Sequence, residues 1–138
     1  MIYTTLKKIR AHSPCESGWK KLLSHLGKTK ADDEPLALIV ILDSNGLDDT
    51  LWCLRSVPEH NQLWRLYAVW CARQVQHLMT DQRSIDALDV AERHANGQAT
   101  DDELDAARDA AWDAARAARD AAWDAQTAKL RELLKTTP

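Results

Sequence analysis

TDDELDAARDAAWDAARAARDAAWDAQTAKLRELLK, from Thr100 to Lys135, decides how this chain is read. Its first four residues, Thr100-Asp101-Asp102-Glu103, set a Thr three positions ahead of a Glu, the reciprocal pattern of a helix capping box. No Gly or Pro follows before Pro138. Two eleven-residue blocks lie inside the stretch, DAAWDAARAAR at 109–119 and DAAWDAQTAKL at 120–130, with a weaker copy at 98–108. Eleven residues over three turns is a period of about 3.67, which favours a straight or slightly right-handed helix over a left-handed coiled coil. At ~1.5 Å per residue the helix is roughly 52 Å long. A compact chain of this length has a diameter of roughly 37 Å. A rod longer than its globule must bend, project or lie along a partner.

At about 100° per residue, Leu104, Ala107, Ala111, Ala114, Ala115, Ala118, Ala121, Ala122 and Ala125 form one broad apolar side. Ala leaves so little side chain that a neighbouring helix can approach closely. Trp112 and Trp123 fall together on the other side, among Asp105, Arg108, Arg116, Arg119 and Asp120. Two readings stand. Another segment of the chain covers the tryptophans, since Trp is highly buried on average. Alternatively Trp112, Trp123, Arg116 and Arg119 form a binding surface for a second protein, because Trp and Arg concentrate where binding energy does.

At 138 residues the chain is one domain by length, residues 1–138, with enough material for a real core. It has no Phe and six Trp, so bulky aromatic contacts come from Trp. The net charge of −3 hides an asymmetry. Residues 1–30 carry Lys7, Lys8, Arg10, Lys20, Lys21, Lys28 and Lys30 against Glu16, whereas residues 31–60 are acidic except for Arg55. That division predicts contacts within the fold before it predicts nucleic acid. Cys15, Cys53 and Cys71 are odd in number and widely spaced, which fits reduced thiols better than a disulfide framework. The longest apolar run, Leu36 to Leu42, falls far short of the ~20 residues that span a bilayer. No secretion signal is visible either. A cytoplasmic protein without a membrane partner is expected.

Outward from the C-terminal helix, the remaining segments also read as helical. Met1 to Arg10 is a short helix or a loose arm. Ser13-Pro14-Cys15-Glu16 has the form of a capping box with Pro at the first helical position, and Gly27 closes that segment. Trp19, Leu22, Leu23 and Leu26 give it one apolar face. Lys28 to Glu34 is an exposed linker. Leu36 to Leu42 is β-prone in composition. A buried helix is nevertheless expected, because Asp33 and Pro35 make a start, Asn45-Gly46 a stop, and no second strand is evident. Asp48 or Asp49 then caps a short helix that ends before Pro58. Asn61 to Met79, apolar except for a narrow stripe, is the expected hub surrounded by other helices. Asp81 caps the next helix, with Ile85, Leu88 and Ala91 or Ala95 inward, and Asn96-Gly97 ends it. The fold class is all-α: a single-domain bundle of six or seven helices with a long Ala-rich C-terminal helix. Its segments are 1–58, 61–97 and 100–135.

The run RLYAVWCARQVQHLMTDQRSIDALDVAERHANGQATDDELDAARDAAWDAAR, within about Leu63 to Asp124, resembles the helical immunity proteins of bacterial toxin systems. It also resembles small phage and prophage proteins with Ala-rich tails. The similarity covers somewhat under half of the chain. It rests on helix order, the His-Leu-x-x-Asp turn at His77 to Asp81, the Ala-Asn-Gly turn at Ala95 to Gly97, and the Ala-rich repeat. None of these is catalytic. The resemblance implies a helical fold that acts by binding, and it supplies no site residues.

Catalytic and metal chemistry find little support in the sequence. His12, Cys15 and His25 have part of a zinc spacing but lack a second tight ligand pair. Cys71, His77 and Asp81 contain the residue types of a nucleophilic triad, yet residues six apart on one helix face different ways. No catalytic residue, metal site or cofactor is assigned. Asp32, Asp33, Glu34, Asp43, Asp48 and Asp49 form the densest acidic region, read either as solvated caps and linker or as a patch that meets a basic groove. Lys7, Lys8, Arg10, Lys20 and Lys21 lack an aromatic platform among them, so direct nucleic-acid binding is not expected. The functional expectation is a non-enzymatic, protein-binding inhibitor, phage- or prophage-encoded. It would occlude a bacterial defence complex in the manner of an anti-CRISPR protein, or a toxin in the manner of an immunity protein. The alternative is a structural or assembly protein that homo-oligomerises, starting with a homodimer, through the Ala-rich helix. The partner-binding candidates are Trp112, Trp123, Arg116, Arg119, Asp48 and Asp49.

Overall fold

A computed structural model describes the backbone of residues 1–79 and 82–138, with the side chains of all of these but Arg83 and residues 108–122. Seven α-helices lie among the described residues: α1 (Leu6–Arg10), α2 (Glu16–Leu26), α3 (Leu38–Asn45), α4 (Leu47–Cys53), α5 (Asn61–Arg73), α6 (Gln82–Ala95) and α7 (Asp101–Thr136). Two two-residue strands, β1 (Tyr3–Thr4) and β2 (Leu36–Ala37), pair antiparallel with Tyr3 opposite Ala37 and Thr4 opposite Leu36. The all-α class holds. The contacts divide the chain into two compact units, Met1–Pro58 with Thr127–Pro138, and Glu59–Gln126.

In the first unit the apolar run that was ambiguous between strand and helix does both. Leu36 and Ala37 extend and pair with the N-terminal arm; the chain then turns into α3, whose Leu38, Ile39, Ile41 and Leu42 are buried. The arm is the second strand that the sequence did not reveal. It is not loose, because Ile2, Leu6 and Ile9 are buried and the Leu38 N–H donates to the Ile2 carbonyl at 3.0 Å. Leu130 and Leu134, one turn apart near the end of α7, are fully buried in the same core. Side chains of this kind contribute ~1.5–3 kcal/mol each on burial. A buried hydroxyl pair, Thr4 Oγ1 with Ser56 Oγ at 2.7 Å, satisfies two polar groups inside it.

Several helix boundaries differ from the sequence reading. Ser13 does not cap α2. It adopts a left-handed φ of 56°, and the helix starts at Glu16 after Cys15, which offers no side-chain cap. Pro14 disfavours the right-handed helical conformation in the residue before it. Gly27 closes α2 at φ 64°, as its position predicts. The N-cap of α4 is Gly46, so Asp48 and Asp49 lie inside the first turn rather than capping it. There they face the partial positive charge of the helix start. The segment Lys28 to Glu34 is exposed or half-buried, as expected of a linker, and is tied down by its own contacts: Lys28 Nζ reaches Asp32 Oδ2 at 2.6 Å and also Glu34, and the Lys7 N–H donates to the Asp32 carbonyl at 3.0 Å.

In the second unit α5 ends at Arg73, and the rest of the expected hub becomes a turn and a short 3-10 segment, Gln76–Leu78. Only Tyr67 and Val69 of α5 are buried, with Val75 after it, while Ala68 and Leu78 are exposed. The apolar composition therefore overstated burial along this segment: among the described residues α5 packs on α6, and α3 buries four of its eight residues. Arg73 closes the α5–α6 corner by donating to Gln76 Oε1 (3.0 Å), Asp89 Oδ1 (2.7 Å) and Glu92 Oε2 (2.9 Å). Leu88 and Ala95 face inward on α6 as expected, and Gly97 ends the turn at φ 75°. Thr100 Oγ1 accepts from the Glu103 N–H at 3.2 Å, which realises the helix start read from the sequence. The Tyr67 hydroxyl donates to the Gln126 carbonyl at 2.9 Å. Ala107 is buried and Leu104 half-buried, but Ala125 is exposed. Eighteen residues are about five turns, so Ala125 shares the azimuth of Ala107 and differs in its neighbours. The cap assigned to Asp81 and the two faces assigned along 108–122 lie outside the described residues.

A tryptophan-lined acidic cleft as candidate functional site

Ion pairs engage most of the side-chain carboxylates of the first unit. Lys7 pairs with Asp33, Lys28 with Asp32 and Glu34, Lys20 with Glu16, Lys129 with Glu132, and Arg131 with Asp43 at 2.6 Å. The hydrogen bonds to Asp33 raise the Lys7 pKa, and those to Asp32 and Glu34 raise that of Lys28. The Lys28 contact in turn lowers that of Asp32. The dense acidic region of the sequence thus separates into two parts. Asp32, Asp33, Glu34 and Asp43 belong to internal ion pairs. Among the described residues, Asp48 and Asp49 make none.

These two carboxylates line a cleft of about 240 Å³ bounded by α1, α2, α3 and α4. Its lining includes Ile9 of α1, Trp19 and Leu22 of α2, Ile41 of α3, and Asp48, Asp49 and Trp52 of α4. Asp48 is exposed and Asp49 half-buried. Asn45 fixes the junction, its Nδ2 donating to the Gly18 carbonyl at 2.9 Å and to Asp49 Oδ2 at 2.8 Å. A guanidinium of the chain itself sits over each tryptophan ring. Arg10 lies 5.5 Å from the Trp19 ring centroid and Arg55 lies 4.3 Å from that of Trp52, both within cation–π range. Neither arginine is part of the cleft lining, which carries two carboxylates and no cation.

Two thiols also reach the cleft, and they differ. Cys15 is exposed; Cys53 is buried, and that burial pushes its pKa up to about 12. All three cysteines are free. Cys71, in the second unit, is raised by burial as well, which disfavours the thiolate a nucleophile needs. His77 is exposed, and Asp81 lies outside the described residues. Among the described residues no group of three or more His, Cys, Asp or Glu is placed to hold a metal ion. No helix among them is long and apolar enough to cross a membrane.

Of the partner-binding candidates, Asp48 and Asp49 are brought together at the cleft. Trp123 is half-buried in the second unit, and the side chains of Trp112, Arg116 and Arg119 lie outside the described residues. Sequence reasoning missed Trp19, Trp52 and Asn45. A signal for Trp52 was present: Asp48 and Asp49 precede it by four and three residues, a spacing that puts all three on one helix face. Trp19 has no such signal, since only the packing of α2 on α3 brings it opposite. No protein-family model matches the chain, and neither a curated protein nor a solved structure is significantly similar to it.

Proposed function

We propose that this protein is a non-enzymatic binding protein that occludes a basic surface on another protein. The observation that carries this reading is the pair Asp48 and Asp49, left without a cation where the other carboxylates of the unit have one, and set beside Trp19 and Trp52. Unpaired carboxylates accelerate encounter with a basic surface and repel phosphate backbones. Tryptophans in a cleft supply the apolar anchor on which binding energy concentrates. The resemblance of the central segment to immunity and phage proteins fits an inhibitor of a bacterial defence complex or of a toxin, working in the cytoplasm. Trp112, Arg116, Arg119 and Trp123 enter the proposal on sequence grounds as a second contact surface.

The test is affinity purification of the tagged protein from its host, with mass spectrometry of what it retains, run beside an Asp48→Lys/Asp49→Lys variant. A basic protein retained by the wild type and lost by the variant is the expected result. Equal retention by both would remove the acidic pair from the partner surface.

A further inference from the structure

We infer that the cleft between α2 and α4 takes a single arginine side chain presented by the partner. This rests on the reading of Asp48 and Asp49 as partner-facing and deepens it to one chemical group. Three features of the cleft select that group. Its lining carries two carboxylates and no cation, and the adjacent Arg10 and Arg55 sit over the tryptophan rings without an ion pair to either carboxylate, so the negative charge favours a positively charged occupant. Its aromatic lining is two Trp, one from α2 and one from α4, and the indole face is the strongest of the side-chain rings for a cation. The molecule itself shows which cation suits these rings: the groups stacked on Trp19 and Trp52 are the guanidinium groups of Arg10 and Arg55.

Geometry separates arginine from lysine. A guanidinium is planar, stacks on an indole, and presents a fork of N–H donors to neighbouring carboxylates, whereas an ammonium is a compact and strongly hydrated point charge. Asp49 is already oriented by Asn45 through Oδ2, and the exposed Asp48 stands beside it on the same turn. The apolar lining of Ile9, Leu22 and Ile41 suits the methylene stem.

The probe is capped arginine, N-acetyl-arginine amide, titrated into ¹⁵N-labelled full-length protein. The indole N–H signals of Trp19 and Trp52 are assigned with Trp19→Phe and Trp52→Phe variants. Both signals are expected to shift saturably with capped arginine. Capped citrulline, which has the same shape without the charge, and capped lysine should bind roughly three- to tenfold more weakly, the equivalent of one or two part-exposed ion pairs. An Asp48→Asn/Asp49→Asn variant should lose the preference for arginine over citrulline. If that variant does not fold, Asp48→Asn alone, at an exposed position, carries the same comparison. Equal binding of citrulline or lysine overturns the assignment, as does the absence of any indole shift at tens of millimolar capped arginine. Partner capture sensitive to Asp48 and Asp49 without capped-arginine binding would discard the cleft assignment alone. Capped-arginine binding without such capture would discard the partner reading alone.

Discussion

Gly18 and Asp49 approach so closely that a Cβ atom on Gly18 would stand 2.8 Å from Asp49 Oδ2 and 3.2 Å from Cys15 Sγ. Gly within a helix ordinarily costs up to ~1 kcal/mol relative to Ala, so its presence in the first turn of α2 calls for a local reason, and the neighbouring carboxylate supplies one. Gly18→Ala should gain helix propensity and lose it again by driving Asp49 off Asn45. The net change in stability is expected to stay within about 1 kcal/mol, while Trp19 and Trp52 indole signals move and partner binding weakens. A stability loss well above that, measured by denaturant unfolding, would mean that Asp49 cannot swing away and that the contact is part of the packing.

The end of α7 is expected to be indispensable to the first unit. Leu130 and Leu134 are fully buried, Arg131 between them reaches Asp43, and the Ile2 N–H donates to the Leu134 carbonyl at 3.1 Å. Leu134→Ala should cost about 2–5 kcal/mol, the range for an internal Leu whose cavity collapses only partly. Substituting the exposed Lys135 with Ala should change little. A loss under about 1 kcal/mol for Leu134→Ala, measured in urea, would show that the N-terminal arm and α3 hold together without it.

The fold class was legible because it depends on local signals, and the caps at Thr100, Gly27 and Gly97 fell where the sequence placed them. What was not legible depends on pairing across the chain. Leu36-Ala37 reads as a strand only once Tyr3-Thr4 lies beside it, and the acidic region divides only once Lys7, Lys28 and Arg131 have chosen their carboxylates. The hub was misplaced for a related reason. Of the described residues of α5 only Tyr67 and Val69 are buried, whereas the shorter α3 buries Leu38, Ile39, Ile41 and Leu42. Half of the cleft was visible in the spacing of Asp48, Asp49 and Trp52. The other half, Trp19 and Asn45, comes from tertiary packing that no local pattern records.

Cys53 makes stability depend on pH in the alkaline range. Burial raises its thiol from 9.0 to about 12 in the folded chain. Between those two values the unfolded chain holds fewer protons than the folded one, so stability falls as pH rises through the window and is unaffected below it. The slope from this one group approaches ~1.4 kcal/mol per pH unit at most. A Cys53→Ala variant should therefore lose less stability than the wild type between pH 9 and 11, measured by chemical denaturation. Parallel slopes would show that the thiol is solvated in the folded state. Alkylation mapped by mass spectrometry at pH 8 should likewise modify exposed Cys15 and spare Cys53.

The two halves of the acidic region should respond in opposite ways to charge reversal. Asp32 and Asp33 are engaged by Lys28 and Lys7, so Asp32→Lys/Asp33→Lys breaks two internal pairs, sets like charges together and lowers the melting temperature. Its effect on partner association per folded molecule should be small, since those carboxylates present little free charge outward. Asp48 and Asp49 have no internal cation to lose. Their reversal removes only the favourable placement of negative charge at the start of α4, a part-exposed interaction of well under 1 kcal/mol per residue at moderate salt. It also turns an acidic cleft wall into a basic one. Association with a basic partner should slow by about tenfold or more at low ionic strength, and the deficit should shrink as salt screens the approach. Stopped-flow or surface-binding kinetics at two salt concentrations measure both quantities. If reversal at 32 and 33 slows association as much as reversal at 48 and 49, the partner responds to the overall charge of the protein and the cleft has no special part in its capture.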